Sequence, residues 1–544
     1  VKKKKITVYQ IYIKSFNDTS GNGIGDIKGI TEKLEYLKEL GIDYIWITPF
    51  FKSPQKDNGY DVSNYYEIDP IYGNMLDFEK MSDKAKKLGI GIMLDMVFNH
   101  TSTEHEWFKK ALSGEKEYQD YYIFKDKSTN WQSKFGGSAW EYVEKLDKYY
   151  LHLFDKTQAD LNWENPKVRE ELKKVLRFWL KKGVNGFRFD VVNLISKPFE
   201  FIDDNDGDGR RFYTDGPRIH EYIKELSEEI RSINKDAITV GEMSSTSLEH
   251  CQKYSGENEN ELSMVFNFHH LKVDYKNNDK WQLMPFDFKK LKQIFNEWQV
   301  GMQKASAWSA MFWSNHDQPR IVSRLGDDVK YHEKSAKMLA TVIHLLRGIP
   351  YIYQGEEIGM TNAGYENILD FNDVESHNYY NILKEKGLSS KEALKVIQER
   401  SRDNGRTPMQ WSDDVNGGFS INTPWLKVVK NYKKINVKKQ LNDENSILNY
   451  YKKLIKLRKK YNVISEGEFE QLDNGHDQIY SFRRYTRDEE IIIIANFYNQ
   501  NIRYNINKNL EEYECILSNT SNTLIDKEIK LEPYDVYVLY KNNI

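Results

Sequence analysis

Cysteine is nearly missing: the 544 residues contain two, Cys251 and Cys515, far apart in the chain. That excludes a disulfide framework and suits a reducing compartment, read here as the cytoplasm. Long apolar runs are missing as well; none approaches the ~18 residues that a membrane span needs. Nor does one sign of charge dominate. Lys and Arg number 79 against 82 Asp and Glu, for a net charge of −3. Nothing in that balance favours a nucleic acid or an anionic membrane as partner. The opening stretch "VKKKKITVYQIY" is basic but carries neither the apolar segment nor the small-residue cleavage site of a secretion signal, and is expected to be solvated. What is present is bulk: 39% hydrophobic and 14% aromatic residues, enough for a large core and two or three domains.

Short apolar, β-branched runs alternate with amphipathic helical stretches. Eight strands are expected, at 6–13, 42–50, 90–98, 184–192, 237–243, 262–268, 309–317 and 349–355. Near-continuous apolar strands separated by helices imply a parallel sheet covered on both faces. Ile30, Leu34, Leu37 and Leu40 are spaced for one helical face, and Gly41 follows as a left-handed cap. Asn165 and Pro166 open another helix as N-cap and first helical residue. Eight such units in series fit a closed (β/α)8 barrel better than an open doubly wound sheet.

Two regions break the pattern. Residues 101–165 are too long for a simple connection and are expected to form an inserted subdomain after the third strand. From 462 to 544, runs such as "QIYSFRRYT" and "EIIIIANFY" separated by Asn, Asp and Gly read as a C-terminal antiparallel β domain, a sandwich. The barrel then comprises 1–100 and 166–461.

Barrel enzymes place their chemistry at the carboxyl ends of the strands. Those ends carry Asp57, Tyr60, Asn99, His100, Arg188, Asp190, Glu242, His316 and Asp317. Any one acid is as readily a structural ion pair, but a converging set points to function. Glycoside cleavage needs one ionised carboxylate and one protonated carboxyl. In "GVNGFRFDVV", Arg188 and Asp190 leave one strand on the same side, so the arginine is expected to keep that carboxylate ionised. Glu242 follows "AITVG" with no basic neighbour in sequence, so desolvation is expected to make it the proton donor.

The segments "DMVFNH", "GFRFDVVN", "GEM" and "FWSNHD" resemble, in order and spacing, the four signatures of the α-amylase superfamily. "YQIYIKSF", "DNGYDVSNY" and "RDNGRTPMQW" are similar to its oligo-1,6-glucosidase branch. The resemblance implies a retaining hydrolase with Asp190 as nucleophile, Glu242 as acid/base and Asp317 as stabiliser of the distorted sugar. It puts Asp57, Tyr60, His100, Arg188, His316 and Arg402 around the non-reducing glucose, with Phe154 and Gln158 as further pocket residues and Arg406 able to share the role of Arg402. No cofactor is implied for catalysis.

The stretch "FNFHHLKVDYKNNDKW" (266–281) looks like that of the branch members that cleave phosphorylated trehalose. The expected substrate is therefore a small phosphorylated disaccharide, α,α-trehalose 6-phosphate, with glucose and glucose 6-phosphate as products. A phosphate needs cations, and Lys272, Lys276 and Lys280 are the expected ones; a solvated lysine-rich loop is the plainer alternative. If it holds, an oligo-1,6-glucosidase acting on isomaltose-type ends is the substitute reading. A non-catalytic relative is disfavoured because all three acids are present.

In "NDTSGNGIGD", Asp18, Ser20, Asn22 and Asp26 alternate, with the Ile24 carbonyl among them. This resembles a Ca²⁺ loop of the family, and a structural Ca²⁺ is expected there. "DNDGDGRRFYTD" (204–215) mimics an EF-hand but lies in a barrel loop, and "HTSTEH" lacks zinc spacing; both are set aside.

Overall fold

A computed structural model describes residues 2–473, 475–521 and 526–544. Eight strands form one parallel sheet: β1 (Val8–Ile11), β2 (Tyr44–Ile47), β3 (Gly91–Met96), β4 (Gly186–Phe189), β5 (Ile238–Glu242), β6 (Met264–Phe266), β7 (Ala310–Met311) and β8 (Ile349–Tyr353). Their order is β6-β5-β4-β3-β2-β1-β8-β7. A parallel bridge between Val265 and Ser309, with the Val265 N–H donating to the Trp308 carbonyl at 3.2 Å, joins the two ends and closes the ring. All eight expected strands are present. Helices between them cover the outside, and the strands are buried on both faces, which is why they carry apolar runs rather than an alternating pattern.

The helix signals translate into geometry at the expected residues. Asn165 caps the Lys167 amide with Pro166 at the first position of Pro166–Lys181. Gly41 sits at φ 106°, where a Cβ would meet Ile455 at 2.7 Å. The helix expected through Ile30 and Leu40 is instead two, Ile27–Glu32 and Leu34–Leu40, hinged at Lys33; all four apolar residues still face the core.

After β3, strand His100–Ser102 pairs antiparallel with Gln158–Asp160 and clasps the insertion at its base. Between them lie two short helices and a sheet of Phe124–Lys125, Lys148–Leu151 and Trp140–Val143. Trp131, Leu151 and Leu153 of the insertion pack with Val191, Leu194 and Tyr213 of the barrel, so the insertion forms one wall above the strand ends.

The C-terminal strands Glu468–Gln471, Ile479–Tyr485, Glu489–Asn496, Val536–Asn542 and Glu514–Ser518 form an antiparallel sheet, and Ile502–Asn505 pairs with Glu528–Leu531 in a second. The unbroken "EIIIIAN" run follows from this. Ile491, Ile493 and Ala495 join the main core, while Ile492 and Ile494 pack with Ile529 and Leu531 in the second core. Side chains alternate between faces along a strand, and here both faces are covered. Lys292 of a barrel helix ties the two parts together: its Nζ is 2.6 Å from Asp473 Oδ2 and donates to the His476 and Ile479 carbonyls. Asp473 is fully buried. Lys292→Ala is expected to leave that carboxylate without its counter-charge and to cost roughly 3–5 kcal/mol in urea unfolding; a loss below about 1 kcal/mol would contradict the tie.

Candidate active site

Arg188 is almost without solvent access, 1% exposed, and its guanidinium touches three carboxylates. Nη1 donates to Asp190 Oδ1 at 2.6 Å and to Asp95 Oδ1 at 2.9 Å; Nη2 donates to Glu242 Oε2 at 2.6 Å. Strand register produces this. Arg188 lies directly opposite Asp95 of β3, and Phe189 opposite Gly241, which brings Asp190 alongside Glu242. Asp95 also accepts from Trp46 Nε1 and the Tyr60 hydroxyl, both at 2.9 Å. The sequence reading missed Asp95, although a single acid inside the apolar run "IMLDMVF" is the same anomaly that singled out Arg188.

Burial pushes the Asp190 carboxyl up to about 6 even though Arg188 and its hydrogen bond pull the other way. Desolvation outweighs the arginine, so Asp190 is ionised above that value, which includes neutral pH. Glu242 does have a basic neighbour in space, Arg188. Burial nevertheless raises its carboxyl well above the usual range, with the facing Asp190 and Asp317 adding to the rise. Glu242 therefore favours its protonated form beside Asp190. Asp190 and Glu242 share one guanidinium, Asp190 on Nη1 and Glu242 on Nη2 of Arg188. Immediately after Asp190, Val191 sits at φ 35°, a strained conformation for a β-branched residue, with its N–H donating to Glu242 Oε2 at 3.1 Å.

One end of the cavity is dense in polar groups. Arg402 pairs with Asp57 at 3.2 Å, Asp317 at 3.4 Å and Asp373 at 2.6 Å. Arg406 also reaches Asp317, at 3.0 Å, and donates to the His316 carbonyl at 2.8 Å. Burial favours the neutral Asp317 carboxyl, but His316, Arg402 and Arg406 outweigh it and hold it below the usual range. Burial brings His316 down to about 3 and His100 to about 4, so both rings are neutral. The Gln10 amide nitrogen lies 2.7 Å from His316 Nδ1, which leaves Nε2–H to face Asp317 at 3.2 Å. Tyr60 stacks on His316 at 5.0 Å and 3°, an aromatic floor for a sugar ring. Gln158 and Arg188 stand behind the wall: Gln158 holds Asp57 at 2.9 Å and the Tyr60 carbonyl at 3.1 Å. Asp373, which caps helix Val374–Glu385, gave no signal in the sequence.

A model of the α-amylase catalytic domain matches residues 10–467. The chain belongs to the α-amylase family. It is 50% identical to the trehalose-6-phosphate hydrolase of Bacillus subtilis over 99% of this chain and 98% of that protein. It is 44% identical to an oligo-1,6-glucosidase of Parageobacillus thermoglucosidasius, with 98% of each covered. The crystal structure of the Bacillus licheniformis trehalose-6-phosphate hydrolase superimposes with a TM-score of 0.94 at 52% identity, covering 99% of both chains. The barrel, the insertion and the C-terminal sheet are thus those of a glycoside hydrolase of this family.

The cavity of this family member measures about 230 Å³ and is lined by Asp57, Tyr60, His100, Phe154, Asp190, Glu242, His316, Asp317 and Arg402, among others. Of the three expected lysines, Lys272 and Lys280 line it. Lys276 is exposed outside it, on a turn that carries its side chain into solvent. Lys280 Nζ already pairs with Glu375 at 2.5 Å. Lys134, from the insertion, lines the cavity as well and was missed, being one of many lysines without a pattern around it.

In the N-terminal loop, the Ser20 amide lies 3.0 Å from Asp18 Oδ1 and 3.2 Å from Asp26 Oδ2, so the two carboxylates converge. Among the described residues no basic side chain pairs with either acid. Their oxygens also accept from the Gly21, Gly23, Thr19 and Gly29 amides, so a cation would share them. In the 204–215 loop the cations are the chain's own: Arg211 pairs with Asp204 at 3.0 Å and Arg210 with Asp208 at 2.8 Å.

Asp95 offers a test of the carboxylate cluster. Its charge raises the Asp190 carboxyl, so Asp95→Asn is expected to lower it. The acid limb of kcat/KM, which requires the ionised nucleophile and starts near pH 6, should move to lower pH as the cluster titrates. A limb that stayed in place or moved up would contradict this arrangement.

Proposed function

We propose that this enzyme hydrolyses α,α-trehalose 6-phosphate to glucose and glucose 6-phosphate with retention at the anomeric carbon. The observation that carries the reading is the chemistry of the cavity wall. The wall of the cavity that carries Glu242 also carries Lys134 and Lys272. Neither lysine has a carboxylate ion-pair partner among the described residues. The carboxylates gathered around Arg402 suit a neutral glucose. Similarity to the Bacillus subtilis enzyme over nearly the whole chain supports the same substrate.

The steps follow from the protonation states. Asp190, ionised at neutral pH, attacks C1 of the non-reducing glucose while Glu242 gives its proton to the departing oxygen of glucose 6-phosphate. Asp317, with Arg402 and Arg406 on one oxygen and the His316 N–H facing the other, accepts hydrogen bonds from ring hydroxyls. Glu242, now a carboxylate, takes a proton from water. That water attacks C1, the glucosyl–Asp190 bond breaks, and both acids regain their starting states.

An oligo-1,6-glucosidase is the second reading, favoured by the 44% identity to such an enzyme. Glucose release from trehalose 6-phosphate, trehalose and isomaltose at equal enzyme concentration separates the two. The phosphorylated disaccharide is expected to give the highest kcat/KM, and a preference for isomaltose would overturn the proposal. Asp190→Ala should abolish release, and Glu242→Gln should lower it roughly 10²–10⁴-fold.

We propose in addition a structural Ca²⁺ at Asp18, Ser20, Asn22, the Ile24 carbonyl and Asp26, supported by the two converging carboxylates without a basic partner. Chelation by EDTA should lower the unfolding temperature, with recovery on adding Ca²⁺; an unchanged midpoint would remove the ion from the account.

A further inference from the structure

We infer that Asp215, in the loop after β4, is a positioning residue for the proton donor Glu242 and acts through Asn193. This role rests on the reading of Glu242 given above. Asp215 is also the one acid of the 204–215 stretch without an ion pair among the described residues; Asp204 and Asp206 face Arg211, and Asp208 pairs with Arg210.

Three observations carry it. The first is where the sheet stops. The ladder between β4 and β5 ends at Phe189 opposite Gly241, one residue short of each catalytic carboxyl. Glu242 is still paired on its other side, with Phe266 of β6. On the β4 side a side chain takes over from the ladder. The Asn193 amide nitrogen donates to the Ser244 carbonyl at 2.8 Å, and its oxygen accepts from the Ser244 N–H at 2.9 Å. Asn193 is fully buried, and it joins the turn that follows the nucleophile to the segment that follows the donor.

The second is what keeps that amide the right way round. Turned over, it would set nitrogen against an N–H and oxygen against a carbonyl. Its other N–H donates to Asp215 Oδ1 at 3.1 Å. A carboxylate has no hydrogen to offer, so only the nitrogen is accepted there. The Asp215 N–H closes the loop by donating to the Asn193 carbonyl at 2.9 Å.

The third is that Asp215 holds the donor's segment directly. Thr246 Oγ1 donates to Oδ2 at 3.1 Å and the Tyr254 hydroxyl to Oδ1 at 2.5 Å; both residues lie between β5 and β6. Asp215 and Ser245 sit at φ 49° and 50°. At Gly216 a Cβ would meet the Ser196 carbonyl at 1.8 Å, so this segment lies hard against the turn after β4. Left-handed conformations of non-glycine residues persist where surrounding contacts impose them.

Three donors from two segments thus converge on one carboxylate. Removing it frees the Asn193 amide to turn and loosens the segment after Glu242 relative to β4. Proton donation needs the acid within hydrogen-bond reach of the departing oxygen, and a displacement of about 1 Å can cost roughly 10²-fold. Asp190 keeps its own anchor, its N–H on the Met96 carbonyl at 3.0 Å. The loss should therefore grow with the basicity of the leaving group, because a good leaving group departs without a proton.

The test measures kcat/KM for a series of aryl α-glucosides of increasing phenol pKa in the wild type, Glu242→Gln, Asp215→Ala, Asp215→Asn and Asn193→Ala. The wild type should show a shallow dependence on leaving-group pKa and Glu242→Gln a steep one. Asp215→Ala is expected to lose roughly 10²-fold on the most basic phenol and less than about threefold on 2,4-dinitrophenol. Asn193→Ala keeps the contacts of Asp215 with Thr246 and Tyr254 and should steepen the dependence likewise; it decides the matter if Asp215→Ala does not fold. Asp215→Asn should return to within about threefold of the wild type, since an amide oxygen can still accept from Asn193 and its nitrogen can donate to Thr246. Equal losses across the series in Asp215→Ala, an unchanged dependence, or Asp215→Asn as impaired as Asp215→Ala would overturn the positioning role while leaving Glu242 as the donor. A Glu242→Gln variant with no steepening would overturn both.

Discussion

The buried guanidinium of Arg188 is the interaction on which the site depends. Three carboxylates from three adjacent strands, Asp95, Asp190 and Glu242, meet on one cation at 2.6–2.9 Å. Without that cation three acids could not be held together away from water, because each would take up a proton or turn outward. With it, the cluster carries less negative charge than its acids would supply alone, and Glu242, its carboxyl raised by burial and the facing acids, retains a proton. Nucleophile and proton donor are thus distinguished by a shared environment, not by separate ones. The strain at Val191 belongs to the same construction: it follows the nucleophile at the point where the chain leaves β4 and turns its amide to Glu242.

Around this centre the cavity gathers charge of both signs. Asp57, Asp317 and Asp373 gather around Arg402, while Lys134 and Lys272 bring cations to the same cavity wall. The barrel supplies the first group. The second needs the insertion, whose base is clasped by the pairing of His100–Ser102 with Gln158–Asp160. That clasp also places His100 in the cavity wall and Gln158 behind Asp57. The fold that makes the insertion rigid therefore organises both groups.

Much of this was legible in the sequence, and the reasons are specific. Strands buried on both faces write themselves as apolar runs, so all eight were visible, and the acids at their ends followed from barrel geometry. Motif resemblance supplied the glucose-side residues. What stayed hidden depended on contacts between distant segments. Asp373 meets Arg402 only because a helix beyond the last barrel strand folds back over the cavity. Lys134 joins the cavity wall only because the insertion packs against the segment that follows β4. Lys280 looked free until Glu375, 95 residues away, was seen beside it. Local pattern cannot show whether a charge is paired, and pairing separates a binding group from a structural one. The adjacent arginine pointed to an ionised Asp190, but the sequence does not show the burial that raises its carboxyl to about 6.

The most direct measurement is mass mapping of the glycosyl-enzyme trapped with 5-fluoro-α-glucosyl fluoride. The account predicts one glucosyl adduct on the peptide carrying Asp190, and none in Asp190→Ala. An adduct on another carboxylate, or turnover that releases inverted glucose with no trapped intermediate, would contradict it.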